Sequence, residues 1–164
     1  MDSLQVRLAS TTKEILRLKE LYFKKSLSQK ENFEVLLMHS NQVENRKNDL
    51  LDNGRSKSII KITESYFKLL NISQTISKFI IFIINENEML KGKINYINLS
   101  DKTKREQIES ILSQTDNLIK EGLEFENDIA RKSIIMNNLL CNNYKNLKMF
   151  YDCWVFLAPI SNLS

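Results

Sequence analysis

The chain has 164 residues, with 24 lysines and arginines against 20 aspartates and glutamates, a formal net charge of +4, and 42% hydrophobic residues. This length suits one domain or one elongated subunit, and the composition indicates neither wholesale disorder nor a membrane protein. Three glycines and one proline are too few for a many-stranded sheet or a glycine-rich nucleotide-binding loop. We therefore expect an all-α chain.

A first helical segment is predicted over residues 1–53. Positions seven apart form a row that is apolar with one exception, and its members are Leu8, Ile15, Tyr22, Gln29, Leu36, Val43 and Leu50. A second row, four residues before the first, contains no apolar residue beyond Leu18, so the apolar stripe is narrow. A capping-box spacing leaves a helix break near residues 27–30 open, and Asn53-Gly54 favours the end of the segment.

The clearest pattern lies in residues 56–98. One row is apolar over six heptads, and its members are Ile62, Leu69, Ile76, Ile83, Leu90 and Ile97. A second row contains Asn87, which either fixes the register of a coiled coil or lies near a ragged helix end. Gly92 marks a bend or an end of the helix. Further apolar residues widen the stripe around Phe79–Ile84, and they are Ile60, Phe67, Leu70, Phe79, Ile81, Phe82 and Ile84. This segment should therefore lie inside a bundle or beneath a partner chain.

Residues 100–148 are predicted as a C-terminal helix that begins at a capping box, Thr103 to Glu106. Residues 149–164 form a hydrophobic tail, which Pro159 prevents from continuing as a helix and which must dock on another surface. Long helices of this kind have little stability without packing. The three segments and the tail therefore predict an elongated helical bundle or coiled coil.

The sequence offers little for catalysis. His39 is the single histidine and lies in a polar stretch, so we expect a solvated side chain. Glu121, Glu124 and Asp128 fall on one helix face but lack the apolar setting of a carboxylate bundle site, which favours a solvated acidic face over a metal site. The two cysteines lack metal-ligand spacing and are expected to be free and partly buried. We expect no catalytic site, cofactor, metal or small-molecule substrate.

The partners predicted from this pattern are other proteins. No secretory signal peptide is expected, because the first 25 residues carry charges and no apolar stretch, and the longest apolar run, Phe79–Ile84, is far shorter than the roughly 18 residues of a membrane span. Basic clusters such as residues 102–105 allow weak or indirect nucleic-acid contact, although no recognition motif accompanies them. We expect an intracellular protein that does not bind membranes and whose partners are coiled-coil subunits.

The last third of the chain carries a longer pattern. It consists of Glu126-Asn-Asp-Ile-Ala-Arg-Lys-Ser-Ile-Ile-Met-Asn-Asn-Leu-Leu140, then Asn146-Leu-Lys-Met-Phe-Tyr-Asp-Cys-Trp154, and then Pro159. This pattern resembles the C-terminal part of the centromere protein H family. The chain departs from the family where Tyr151-Asp152-Cys153 replaces a glycine-containing turn and where the spacing from Trp154 to Pro159 is longer. The resemblance implies a nuclear, non-enzymatic inner-kinetochore subunit, paired with a second coiled-coil chain and docked on a helical-repeat protein.

Two alternatives remain beside the kinetochore interpretation. Residues 58–70 resemble small helical Mediator subunits, which would also give a nuclear scaffold protein, and a helical vesicle-tether component is a third class. The tail is too short for a membrane anchor, which favours a structural subunit over a tether. On that interpretation the partner interface is predicted at Ile62, Leu69, Ile76, Ile83, Leu90, Ile97, Phe79, Phe82, Phe150, Trp154, Phe156 and Leu157.

Overall fold

The structure is a computed structural model that describes residues 2–45, 49–94, 101–141 and 146–156, and the side chains of residues 3–39, 54–94, 101–141 and 146–154. Its elements are α1 (Asp2–Asn45), α2 (Asp49–Ile94), α3 (Lys102–Leu140) and α4 (Leu147–Phe156). At 1.5 Å per residue, α1 and α2 are about 66 and 69 Å long. The prediction of an all-α helical bundle is confirmed.

The second helix lies between the first and the third and runs antiparallel to both. Arg7 near the start of α1 pairs with Glu86 near the end of α2, with 3.7 Å between the charged atoms. Glu121 of α3 forms an ion pair with Lys19 of α1 at 2.7 Å, and Asp128 of α3 accepts a hydrogen bond from Tyr22 of α1. These contacts follow the same order along both helices, so α1 and α3 are parallel neighbours. The short α4 packs on α1 and α3.

The apolar row predicted on α1 faces the core. Its members with described side chains are all buried, and they are Leu8, Ile15, Tyr22, Gln29 and Leu36, while the side chains of Val43 and Leu50 lie outside the described residues. Beyond Leu18 the second buried row moves to Ser26 and Phe33. The break left open near residues 27–30 is absent, because α1 is continuous there.

The apolar row of α2 forms the centre of the core. Ile62, Leu69, Ile76, Ile83 and Leu90 are 0 to 1% exposed, and Ile97 lies outside the described residues. Asn87 is buried in the second row, and its Oδ1 accepts a hydrogen bond from Thr115 Oγ1 of α3 at 2.9 Å. Of the two interpretations of Asn87, the structure supports the one in which it fixes a helix register, here between α2 and α3.

The helix ends differ from the predicted ones. Asn53-Gly54 lies within α2, which begins at Asp49, so the prediction that this pair ends the first segment is wrong. A Cβ on Gly54 would lie 2.8 Å from the ring of His39, so the glycine allows α1 and α2 to approach closely. His39 is half-buried, not solvated as expected. Gly92 does not end α2, which continues to Ile94.

The predicted C-terminal helix is divided into two. α3 begins at Lys102, after Asp101, whose side chain makes no capping hydrogen bond, so the capping box predicted at Thr103 lies inside the helix. α3 ends at Leu140, and α4 begins at Leu147. Part of the predicted tail is therefore helical, and the remainder, residues 157–164, lies outside the described residues.

Two glycines provide a matched test of the packing between α2 and α3. A Cβ on Gly122 would lie 2.6 Å from Cγ1 of Ile80, whereas a Cβ on Gly92 would meet no atom within 4 Å. Gly92→Ala should stabilise the chain by about 1 kcal/mol through helix propensity. Gly122→Ala should destabilise it despite that gain, because overpacking costs about 1–3 kcal/mol.

The measurement is the free energy of unfolding from urea denaturation followed by circular dichroism. Equal stabilisation by both substitutions would contradict the close contact of α2 and α3 at Gly122.

Candidate functional site

The predicted partner interface lies mostly inside the bundle. Five members of the α2 row, from Ile62 to Leu90, are buried, and Phe79 and Phe82 pack partly buried against the core. These side chains face helices of the same chain, so a second chain reaches them only if the bundle opens. The difference from the expectation arises because α1 and α3 fold back on α2 and cover the row that a partner was expected to cover.

The predicted tail anchors also lie inside the bundle. Phe150 and Trp154 are buried between α4 and the long helices, and the ring centroids of Trp154 and Phe33 are 5.0 Å apart. The side chain of Phe156 and the whole of Leu157 lie outside the described residues. The described part of the tail is thus an intrachain cap on α1 and α3.

Beneath α4 lies an ionic cluster that the sequence analysis missed. Asp128 and Lys132 of α3 are each 1% exposed, and one oxygen of Asp128 accepts hydrogen bonds from both Lys132 Nζ and the hydroxyl of Tyr22. Arg131 lies 3.5 Å from the other oxygen of Asp128. Lys132 Nζ also lies 5.2 Å from the ring centroid of Trp154 and 5.6 Å from that of Tyr22, within the range of cation–π attraction.

The solvated acidic face expected for Asp128 is therefore wrong. Glu121 pairs with Lys19 of α1, and Glu126 accepts a hydrogen bond from Ser77 Oγ at 2.7 Å, so two further acids of this stretch hold neighbouring helices. An Asp followed four residues later by a Lys is typical of an exposed helical ion pair. Only the packing of α1 and α4 over this pair makes it a core element.

Burial and charge shift the titration of the cluster. Burial and the negative charge of Asp128 raise the pKa of the Tyr22 hydroxyl far above its ordinary value. Burial lowers the pKa of the Lys132 amine, and the Asp128 carboxylate opposes this lowering. Tyr22 therefore remains a hydrogen-bond donor to Asp128 over the whole physiological pH range.

Removing one charge of the cluster should destabilise the chain more than removing both. Asp128→Asn leaves Lys132 buried without its carboxylate and should cost about 3–5 kcal/mol. Combining Asp128→Asn with Lys132→Met removes the stranded charge and should restore most of that loss, because an apolar replacement of a buried pair is often close to neutral. Denaturant unfolding of the single and double variants measures the difference. A double variant no more stable than Asp128→Asn would show that the two charges are not coupled.

The raised pKa of Tyr22 makes a pH-dependent contribution to stability. Above pH ~10 the unfolded chain releases the phenolic proton while the folded chain keeps it, so this contribution is present below pH ~10 and is lost as pH rises. Tyr22→Phe should cost about 1–3 kcal/mol at neutral pH. The difference in the free energy of unfolding between the wild type and Tyr22→Phe should then narrow by up to about 1.4 kcal/mol per pH unit above pH 10. Denaturant unfolding at several pH values measures this difference, and a difference that stays constant between pH 8 and 11 would contradict the buried hydrogen bond.

The outer face of α2 is a surface where exposed apolar side chains recur at seven-residue intervals. Ile60, Phe67 and Ile81 are 56, 55 and 58% exposed and lie at seven-residue intervals, with Gln74 at the remaining position. The ring of Phe67 lies beside that of Tyr66, at 5.5 Å between centroids, and Tyr66 packs against the core. Phe67 therefore contacts a partly buried ring although more than half of its own surface is exposed.

Lysines lie beside this apolar row. Lys57, Lys61, Lys68 and Lys78 are exposed, and none of them forms an ion pair within the described part of the chain. Glu64 is the one acid among them between residues 57 and 81 on this face. We define the outer face of α2 as these four lysines together with Ile60, Phe67 and Ile81. It combines exposed apolar area with uncompensated positive charge.

Other kinds of site find little support in the described ranges. No group of three or more metal-ligating side chains occurs there, and Cys141 and Cys153 are free and exposed, so the expected partial burial is wrong. The stretch Gly54–Ile94 is long and apolar enough to cross a membrane by length and composition. One such helix is weak evidence for a membrane span, because the core helix of a soluble protein meets the same criterion, and 33% of the apolar window is buried inside the bundle.

Fold and surface together define a self-packed antiparallel three-helix bundle, capped by a short fourth helix, with one basic and apolar outer face. Comparison with protein-family models, with curated proteins and with solved structures finds no match to this chain.

Proposed function

We propose that the protein is a non-enzymatic structural subunit of a multi-protein assembly, and that its bundle presents the outer face of α2 to another protein. The observation that carries this proposal is the row formed by Ile60, Phe67 and Ile81, which is more than half exposed at heptad spacing. Beside it are four lysines that form no ion pair with any residue that the structure describes. Apolar residues repeated every seven positions form the kind of row that packs against a further helix. The exposed apolar residues Leu16 on α1 and Ile134 on α3 do not recur at this spacing.

The inner kinetochore is the assembly that we propose, and the nucleus is the corresponding location. Support comes from the resemblance of residues 126–159 to the centromere protein H family. The burial of Trp154 and Phe150 against α1 and α3 changes one part of that proposal, because these aromatic residues then stabilise the subunit itself and leave α2 as the docking element.

A vesicle-tether component is the second candidate. One observation favours it: the apolar rows are buried against helices of the same chain, and a self-contained helical bundle needs no obligate coiled-coil partner. A Mediator-type subunit is a third candidate, and it shares the scaffold role and nuclear location of the first.

The test is purification of the tagged full chain, at its native level, from the cells that produce it. The wild-type chain and a control variant, Leu16→Ser with Ile134→Ser, should run in a complex far larger than the 19.3 kDa chain. Phe67→Ser with Ile81→Ser should run as the free chain, because both substituted residues are exposed and leave the core intact. A wild-type chain that is monomeric in the extract would refute the structural-subunit proposal.

Fluorescence microscopy of the same tagged chain separates the candidate assemblies. Foci at centromeres support the kinetochore, diffuse nuclear signal supports a transcription subunit, and signal on vesicles supports a tether.

A further inference from the structure

The outer face of α2 has the dimensions of a docking site for one helix. Ile60 and Ile81 are three heptads apart, which corresponds to about 31 Å along the helix axis. Apolar residues repeated every seven positions stay on one side of a helix that winds around its neighbours, which is the condition for a continuous seam with another helix. A partner helix of about 21 residues therefore covers the whole row.

The interruptions of the row argue for a helix rather than a lipid surface. Asn71 and Gln74 are exposed between Phe67 and Ile81 and divide the apolar residues into two patches. Membrane-surface helices bury a broad and continuous apolar face in the acyl region. A partner helix tolerates the division, because it contacts the row one side chain at a time through its own repeating positions.

The charges determine which helix fits. Lys57 and Lys78 lie one helical turn before Ile60 and Ile81, and Lys61 and Lys68 directly follow Ile60 and Phe67. Lys57 and Lys78 therefore lie on the same face as Ile60 and Ile81, whereas Lys61 and Lys68 lie about 100° further round the helix and form a basic edge beside the row. Glu64 neutralises one charge of the four at most. Complementary charges beside an apolar seam determine partner choice and orientation.

We infer that the outer face of α2 binds an acidic amphipathic helix of a partner protein. The apolar row of that helix packs on Ile60, Phe67 and Ile81, and its carboxylates pair with the four lysines. This inference rests on the proposed function, since it names the kind of partner that the same surface takes. Phe67 is the central contact, because it is aromatic, lies between Ile60 and Ile81 in the row, and contacts the ring of Tyr66.

The test uses two synthetic peptides and the full chain. Both peptides contain three heptads with leucine at the apolar positions, and the flanking positions carry glutamate in one peptide and lysine in the other. Fluorescence anisotropy should show the glutamate peptide binding at least about tenfold more tightly than the lysine peptide, a difference that added salt reduces. Replacing all four lysines of the outer face with glutamate should reverse the preference, so that the lysine peptide binds better.

Matched variants separate this surface from others on the bundle. Phe67→Ser with Ile81→Ser should weaken binding of the glutamate peptide about tenfold or more, whereas Leu16→Ser with Ile134→Ser should leave it unchanged. Circular dichroism verifies that each variant keeps the helical content of the wild type. Anionic phospholipid vesicles, offered without peptide, should not bind.

Three results would overturn the inference: equal binding of the two peptides, binding of neither, or binding of the vesicles in place of the glutamate peptide. If the large native complex forms but the glutamate peptide does not bind, the inference fails. The proposed function then holds, with a different surface of the bundle binding the partner. If the peptide binds as expected but the chain is monomeric in its native extract, the proposed function fails while the chemistry of the outer face stands.

Discussion

The packing of one row of α2 determines the rest of the molecule. Ile62, Leu69, Ile76, Ile83 and Leu90 are almost completely excluded from solvent, and full burial of such a side chain contributes roughly 1.5–3 kcal/mol. A single neighbouring helix covers only part of so wide an apolar stripe, so two helices pack on it from different sides. That requirement explains why α2 holds the central position. The antiparallel direction of α1 and α3 follows from the few residues that separate successive helices, 46–48 and 95–101. The one side of α2 that neither helix covers is the outer face.

Polar groups inside this apolar core determine which alignment of the helices is adopted. The hydrogen bond from Thr115 to Asn87 joins α3 to α2, and the cluster of Tyr22, Asp128 and Lys132 joins α1 to α3. A shift of any helix by one heptad would keep most apolar contacts and leave these groups buried without partners, at a large cost. Trp154 of α4 packs over Lys132, so docking of the fourth helix depends on the same cluster.

The sequence predicted the helical class and the buried rows of α1 and α2, because burial on one side of a helix leaves a direct periodic signature. It did not predict the helix ends at Asp49 and Leu140, since these depend on where the chain reverses in three dimensions. The shift of the second α1 row to Ser26 and Phe33 was also missed, because 3.6 residues per turn drift against a seven-residue repeat. The outer face of α2 was visible as extra apolar residues, but only the fold separates the exposed ones from the buried ones. The ionic cluster was hidden, because its acid and base resemble a solvent-exposed pair until α1 and α4 cover them.

The central claim is that the apolar rows of this chain satisfy one another without a second chain. Its most direct test is the light-scattering mass of the chain expressed alone, with the emission of its single tryptophan, Trp154, recorded on the same sample. A self-packed bundle gives a monodisperse helical monomer of 19.3 kDa, in which α1 and α3 protect the blue-shifted emission of Trp154 from acrylamide quenching. Aggregated material, or a monomer with solvent-exposed Trp154, would show that the apolar row of α2 needs a partner chain to cover it.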